Sequence, residues 1–284
     1  MHHPVLLKSA IDGLAVKPNG LYIDGTFGEG GHSLEILKRG GRVLGIDWDE
    51  DQIKYQRSTP IQSGSNIKDK NLTLVVGNFA EIEKIAKENN FFPVDGIIVD
   101  LGLSMRQISQ SGRGFSYQNP SETLDMRISL DNDLTAEQII SRYSQPELYE
   151  VFAKNSEEIN SRAVAGYIVH TRHIKPIKTV GDLNQLLERI VGKDDKQVKA
   201  RIYQGLRIAV NHEFENLKSF LKQAIKLLKK DGRLVVITFH SVEDRIVKNF
   251  IRENHLLQVN KKAIRSLEEK KYERSAKLRI ISQL

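Results

Sequence analysis

Short apolar runs at residues 21–24, 43–47, 72–76 and 94–100 alternate with stretches such as 33–38 and 80–87, whose apolar residues recur at helical spacing. Short β-branched runs separated by helical stretches predict a parallel sheet built from crossover units. From about residue 135 to 229 the strand signal disappears, and residues 136–140, 147–154 and 182–191 read as helices. Ser144-Gln145-Pro146-Glu147 supplies a helix start, because a hydroxyl can cap free backbone donors and proline suits the first turn. Strand signal returns at 233–239, after the turn signal Lys230-Asp231-Gly232, and again at 277–281. The predicted architecture is an α/β nucleotide-type domain, residues 1–105 and 204–284, interrupted by an all-helical insert at 106–203.

Composition narrows the class. Hydrophobic residues at 39% and charged residues at 28% favour a folded core over disorder. No apolar stretch approaches the ~20 residues that span a bilayer, and Met1-His2-His3-Pro4 carries no signal-peptide pattern, so the expected location is the cytoplasm, with no membrane partner. The absence of cysteine excludes disulfides, thiolate metal sites and any cysteine nucleophile. No other metal-spaced cluster is evident. The net charge of +7 favours polyanionic partners without selecting one.

The most informative segment is Asp24-Gly25-Thr26-Phe27-Gly28-Glu29-Gly30-Gly31-His32-Ser33, which follows the first predicted strand. Glycines there permit a tight turn and close backbone approach to a ligand, and the next helix offers free N–H groups. Asp47 ends the second strand, about 20 residues past the first loop glycines, where an acid can accept ribose hydroxyl hydrogen bonds. Asp24 and Glu29 flank the loop and would repel a pyrophosphate, but they suit a ligand bearing a sulfonium and an ammonium, such as S-adenosylmethionine. Gly77-Asn78-Phe79 and Asp100-Leu101-Gly102-Leu103-Ser104 follow the third and fourth strands, at the sheet edge where open α/β folds bind ligands. Phe79 could flank an adenine or simply cap the core.

Several motifs occur in order: the glycine loop at 24–33, residues 100–104 with Gln107, Arg113-Gly114-Phe115-Ser116, Leu124-Asp125-Met126-Arg127, then residues 201–211, 232–248 and 274–279. Together they cover nearly the whole chain and resemble the RsmH (MraW) family of bacterial ribosomal RNA methyltransferases. The resemblance implies a Rossmann-like methyltransferase domain whose helical insert recognises substrate. It implies N4-methylation of one cytidine of 16S ribosomal RNA near the decoding site, within the small ribosomal subunit. Carried over by position, the cofactor residues would be Gly30, Gly31, His32, Asp47, Phe79, Asp100 and Gln107. The chain departs from the family pattern at Thr238, usually serine, at Tyr272-Glu273, usually Asn-Pro, and in a shortened segment at 253–273.

Zero cysteine argues against carbon-5 methylation through a covalent adduct and leaves an exocyclic amine, a ribose hydroxyl or a protein as acceptor. A cytosine N4 amine is a poor nucleophile, so orientation and a hydrogen-bond acceptor for its protons matter most. Asp100, ending the fourth strand, is the expected acceptor, with Ser104 as helper; a role in cofactor binding alone stays open. The target base must leave its stack. Arg113, Phe115, Arg127, Arg207, Asn211, His240 and Arg274 are the residues expected to hold RNA, each with an ordinary structural role as the alternative. An NAD-dependent oxidoreductase and an inactive RNA-binding factor remain competing readings, and a homodimer is left open.

Overall fold

The computed structural model describes residues 4–58, 70–192, 194–266 and 274–282. Helix α1 (Leu7–Leu14) precedes β1 (Leu21–Asp24), α2 (Gly31–Lys38), β2 (Arg42–Asp47), α3 (Glu50–Ser58), β3 (Leu72–Val76), a 3₁₀ turn (Phe79–Glu81) leading into α4 (Ile82–Glu88), and β4 (Val94–Asp100). Three of these four strands end on an acid that the apolar run delivers to the same sheet edge.

After β4 the chain enters α5 (Met105–Gln110), α6 (Ala136–Arg142), α7 (Gln145–Ser156), α8 (Ser161–Arg172), α9 (Val180–Val191) and α10 (Lys196–Asn211). Among the described residues, the only β-bridge here joins Thr123 and Thr179. Local sequence explains the helix starts. Ser104/Gln107, Thr135/Gln138, Ser144/Glu147 and Thr179/Asp182 are reciprocal pairs in which each side chain accepts from the other residue's backbone N–H. Leu148, Phe152, Ile168, Leu183, Ile202 and Leu206 join one buried core of this stretch. The Tyr203 hydroxyl donates within it, 3.1 Å from both Val180 O and Asn184 Oδ1.

The chain then forms α11 (Glu213–Leu227), β5 (Leu228–Thr238), α12 (Ser241–Glu253), β6 (Leu257–Gln258), β7 (Ile264–Arg265) and β8 (Lys277–Ser282). Strand order is β3-β2-β1-β4-β5-β8-β6, with β7 also on β8. β1 to β5 are mutually parallel, and β8 is antiparallel to β5. Successive strand residues serve opposite layers: Tyr22, Val43, Ile98 and Val235 pack with α1, while Ile23, Leu44, Ile97 and Val236 pack with α11. Burial on both faces is why these strands read as continuous apolar runs. Lys230-Asp231-Gly232 turns the chain just before the regular ladder with β4 resumes at Arg233. It lies inside β5, where Asp231 takes φ 65° and the ladder with β4 shifts register between Val94 and Gly96.

The chain divides into two units, Met1–Gly102 with Phe214–Leu284, and Leu103–Glu213. The boundaries differ from those expected at 105/106 and 203/204, both of which fall inside helices. α10 buries Val198, Ile202, Tyr203, Leu206 and Val210 in a single core, so a boundary after Tyr203 would split one amphipathic stripe.

Candidate active site

The chain reverses its direction of sheet growth between β1 and β4, and such a switch point opens a crevice at the carboxyl ends of the strands. The glycine loop after β1 runs over this edge. It is tied to the flanking strands by the Gly25 N–H donating to Ile98 O at 2.8 Å and the Phe27 N–H donating to Ile46 O at 2.8 Å. The buried Phe27 ring is wedged between Gly30 and Gly45, where an added Cβ would lie 2.7 Å and 2.5 Å from the ring respectively. Gly30 also needs glycine for its φ of 77°. Gly31 opens α2 with Pro4 packed against it.

Three carboxylates gather at the loop. Asp47 Oδ2 accepts from the Gly28 N–H at 2.7 Å and Oδ1 from the Asp49 N–H at 2.9 Å, while Gln52 Nε2 donates to Gly28 O at 2.9 Å. Asp47 therefore first fixes the loop, and each oxygen keeps a lone pair for a ligand hydroxyl. Asp24 is buried; it accepts from the Ser33 hydroxyl at 2.7 Å and the Thr26 N–H at 3.3 Å. Half-buried Asp100 accepts from the Gly102 N–H at 3.0 Å, and its own N–H donates to Thr26 Oγ1 at 2.7 Å. Glu29, the other acid expected to flank the loop, is exposed on it.

Burial raises all three acids above the ordinary carboxylate range, Asp47 to about 7, because hydrogen bonds, joined at Asp24 and Asp100 by the nearby His32, only partly offset the lost solvation. The buried His32 places Nε2 3.0 Å from Val5 O, tying the start of the chain to α2. The partly buried Phe79 meets Phe220 edge-on, with ring centroids 5.4 Å apart. The first unit thus brings together Gly30, Gly31, His32, Asp47, Phe79 and Asp100. Thr26, Ser33 and Gln52 complete the arrangement. Their partners lie far away in sequence or depend on local loop shape, so no spacing rule pointed to them.

His240 also stands at this sheet edge, after β5. Its Nε2 is 2.8 Å from Glu243 Oε1, a close approach lacking the alignment of a proper hydrogen bond. Glu243 Oε2 accepts from the N–H groups of Phe239 and His240 at 2.8 and 3.3 Å, fixing the start of α12. Thr238, at the family's usual serine, is buried with its hydroxyl 3.4 Å from Lys277 O. Arg274 is exposed. Tyr272-Glu273 lies outside the described residues, as does part of the shortened segment.

Ser104 and Gln107 belong to the second unit, where each is the other's capping partner: Gln107 Oε1 accepts from the Ser104 N–H at 3.0 Å, and Ser104 Oγ from the Gln107 N–H at 3.1 Å. Most residues expected to hold RNA serve this unit's own structure. Asn211 is fully buried, accepting from the Ile128 N–H and donating to Met126 O, both at 2.8 Å. Arg113 donates to the carbonyls of Ile128 and Arg127 at 2.8 and 3.2 Å. Arg127 grips Asp125 through two 2.9 Å contacts, and Arg207 grips Glu213 at 2.8 and 2.9 Å. Phe115 is part of the helical core.

The family model described as MraW methylase family matches residues 1–284. The chain belongs to this family. A ribosomal RNA small subunit methyltransferase H of Dictyoglomus thermophilum is 40% identical over 99% of this chain and 96% of its own length. Proteins of the same name from Acetivibrio thermocellus and Flavobacterium johnsoniae are 38% and 41% identical, covering 100% and 88% of this chain and 99% and 81% of their own lengths. The MraW match spans the sheet unit and the helical unit alike, so both are parts of the family's architecture.

Proposed function

We propose that this methylase acts in the cytoplasm, transferring a methyl group from S-adenosylmethionine to the N4 amine of one cytidine in 16S ribosomal RNA, near the decoding site of the small subunit. The observation that carries the cofactor reading is the set of three desolvated acids, Asp24, Asp47 and Asp100, around one glycine loop with no lysine or arginine bonded to them among the described residues. Such a site attracts a cation and repels a pyrophosphate, which disfavours a dinucleotide.

S-adenosylmethionine supplies an activated methyl group on a sulfonium and carries an ammonium besides. Asp47 would accept its ribose hydroxyls. Gly30, Gly31 and His32 would line the loop, Phe79 would flank its adenine, and Asp100 and Gln107 would complete the hold. Asp100 would also accept a hydrogen bond from the cytosine amine, a bond that strengthens as the nitrogen gains positive charge, with Ser104 as helper. The helical unit would recognise the RNA. Within it Arg113, Phe115, Arg127, Arg207 and Asn211 would act through the surface they shape, as would His240 on the sheet unit, whose ring nitrogens are buried, whereas exposed Arg274 would meet the RNA itself.

The RNA reading draws on the names of the close relatives, and the amine on the lack of a cysteine nucleophile. Nucleoside mass spectrometry of small-subunit RNA from cells lacking the protein is expected to show loss of N4-methylcytidine, restored by the wild-type gene. Loss of a mark on another base, or no loss at all, would overturn the assignment.

A further inference from the structure

The outer face of α11 carries Lys218, Lys222 and Lys226, all exposed and spaced four residues apart. Residues at this spacing stand in a row along a helix, about 6 Å apart at 1.5 Å rise per residue. Among the described residues none of the three is ion-paired. Glu83, a carboxylate on the neighbouring α4 close enough to feel Lys226, is already bonded to Lys87 at 2.7 Å. Glu215, exposed three residues before Lys218, is the one acid near the row on α11, so the row keeps a net positive charge.

Its position relates it to the site. Ser219 donates to Ala80 O at 3.0 Å, and Phe220 packs edge-on against Phe79, so Lys218 lies within a turn of the loop that follows β3. Leu228, just past the helix, pairs with Val94 at the start of β4. The lysines thus run from the ligand-binding edge of the sheet toward its opposite edge.

We propose that this lysine row is a phosphate track that holds a segment of the substrate RNA outside the catalytic crevice. Spacing near 6 Å is close to that of successive phosphates in an extended strand, and lysine binds phosphate as a point charge with little demand on geometry. Contacts of this kind set affinity rather than sequence choice. The track rests on the reading that the substrate is RNA.

The test is the salt dependence of binding to a 16S ribosomal RNA fragment, for wild type and for Lys218→Gln/Lys222→Gln/Lys226→Gln. If each lysine neutralises one phosphate, the triple variant loses about 2 from the slope of log affinity against log salt, and binds roughly tenfold or more weakly at low salt. S-adenosylhomocysteine binding and the thermal midpoint should stay at wild-type values, since the three side chains are exposed. An unchanged slope and affinity, with wild type binding and methylating the RNA, would overturn the track alone. A wild-type protein that neither binds nor methylates the RNA would overturn the RNA reading, and the track with it. Unchanged RNA binding with weakened binding to anionic lipid vesicles would give the row to a membrane surface instead.

Discussion

Asp47 combines two demands that pull against each other. On the proposed reading it accepts ribose hydroxyls most strongly when ionised, yet burial lifts it to about 7 against the backbone donors of Asp49 and Gly28. An acid whose folded pKa exceeds its unfolded value of ~3.9 binds more protons folded than unfolded between the two, so this group's contribution to stability falls as pH rises from ~4 to about 7, then levels. The thermal midpoint of Asp47→Asn should accordingly vary less over that window than the wild-type midpoint. Affinity for S-adenosylhomocysteine should rise as pH passes through about 7, and Asp47→Asn should remove that rise while costing ~1.5–3 kcal/mol at pH 8. Calorimetry showing the same pH-dependent gain in the variant would dismiss Asp47 as the ribose acceptor. Asp100 calls for a kinetic test. If its bond to the amine grows toward the transition state, Asp100→Asn lowers the single-turnover rate at saturating ligands more than it weakens either ligand. Weakened cofactor binding with a near-normal rate would make Asp100 a cofactor anchor. The acids at strand ends were legible in the sequence because strand ends are where apolar runs stop. The Ser33–Asp24 and Thr26–Asp100 bonds were not, because they depend on how the loop folds back over the strands.

Packing within the elements explains why the loop holds its shape. Phe27 occupies the space that Gly45 leaves on β2, and in Gly45→Ala the new Cβ would sit 2.5 Å from the ring and 2.8 Å from Leu74 Cδ2. Overpacking of this kind costs ~1–3 kcal/mol. Gly45→Ala should melt several degrees lower and bind cofactor more weakly, and adding Phe27→Leu should recover part of the midpoint. Independent, additive losses in the double variant would show that the ring and the glycine do not share one space. Farther along the sheet, Arg279 of β8 holds Asp244 of α12 through contacts of 2.8 and 3.1 Å. Burial alone would raise Asp244, but Arg279 and Lys277, which both donate to it, together outweigh burial and hold the carboxyl below its usual range. Its stabilising contribution is thus present above ~pH 4 and is lost as pH falls through the depressed value. Asp244→Ala leaves a buried guanidinium short of its partner and should cost ~3–5 kcal/mol at pH 7, less in acid; equal chemical stability of variant and wild type at pH 7 would refute this. Strands and helix starts could be read locally from apolar runs and Ser/Thr-x-x-Glu/Gln/Asp signatures. Neither the Gly45–Phe27 fit nor the Asp244–Arg279 pair could, since each joins separate elements.

At the scale of the whole molecule, the chain leaves its sheet after β4, builds a helical unit and returns through α11. The sequence showed that excursion as an absence of strand signal, but it could not mark the ends, because helical periodicity continues from α10 into α11 with only the αL residue His212 between them. The division falls where the cores separate: Val210 belongs to the helical core, whereas Leu217 and Phe220 belong to the sheet. Removal of Leu103–Glu213, with Gly102 joined to Phe214 by a short glycine-serine linker, should therefore keep the sheet unit's own core intact. A deletion ending at residue 203 would instead leave Leu206 and Val210 without their partners. The first variant is expected to melt cooperatively and to bind S-adenosylhomocysteine, more weakly than wild type if Gln107 contributes to the hold, and to transfer no methyl group to ribosomal RNA. The second should expose apolar surface and aggregate. Calorimetry, binding and methyl transfer on the two variants separate the outcomes. A folded first variant that methylates RNA at the wild-type rate would remove the helical unit from substrate recognition, and one that folds but binds no cofactor would give that unit the larger share of the cofactor site.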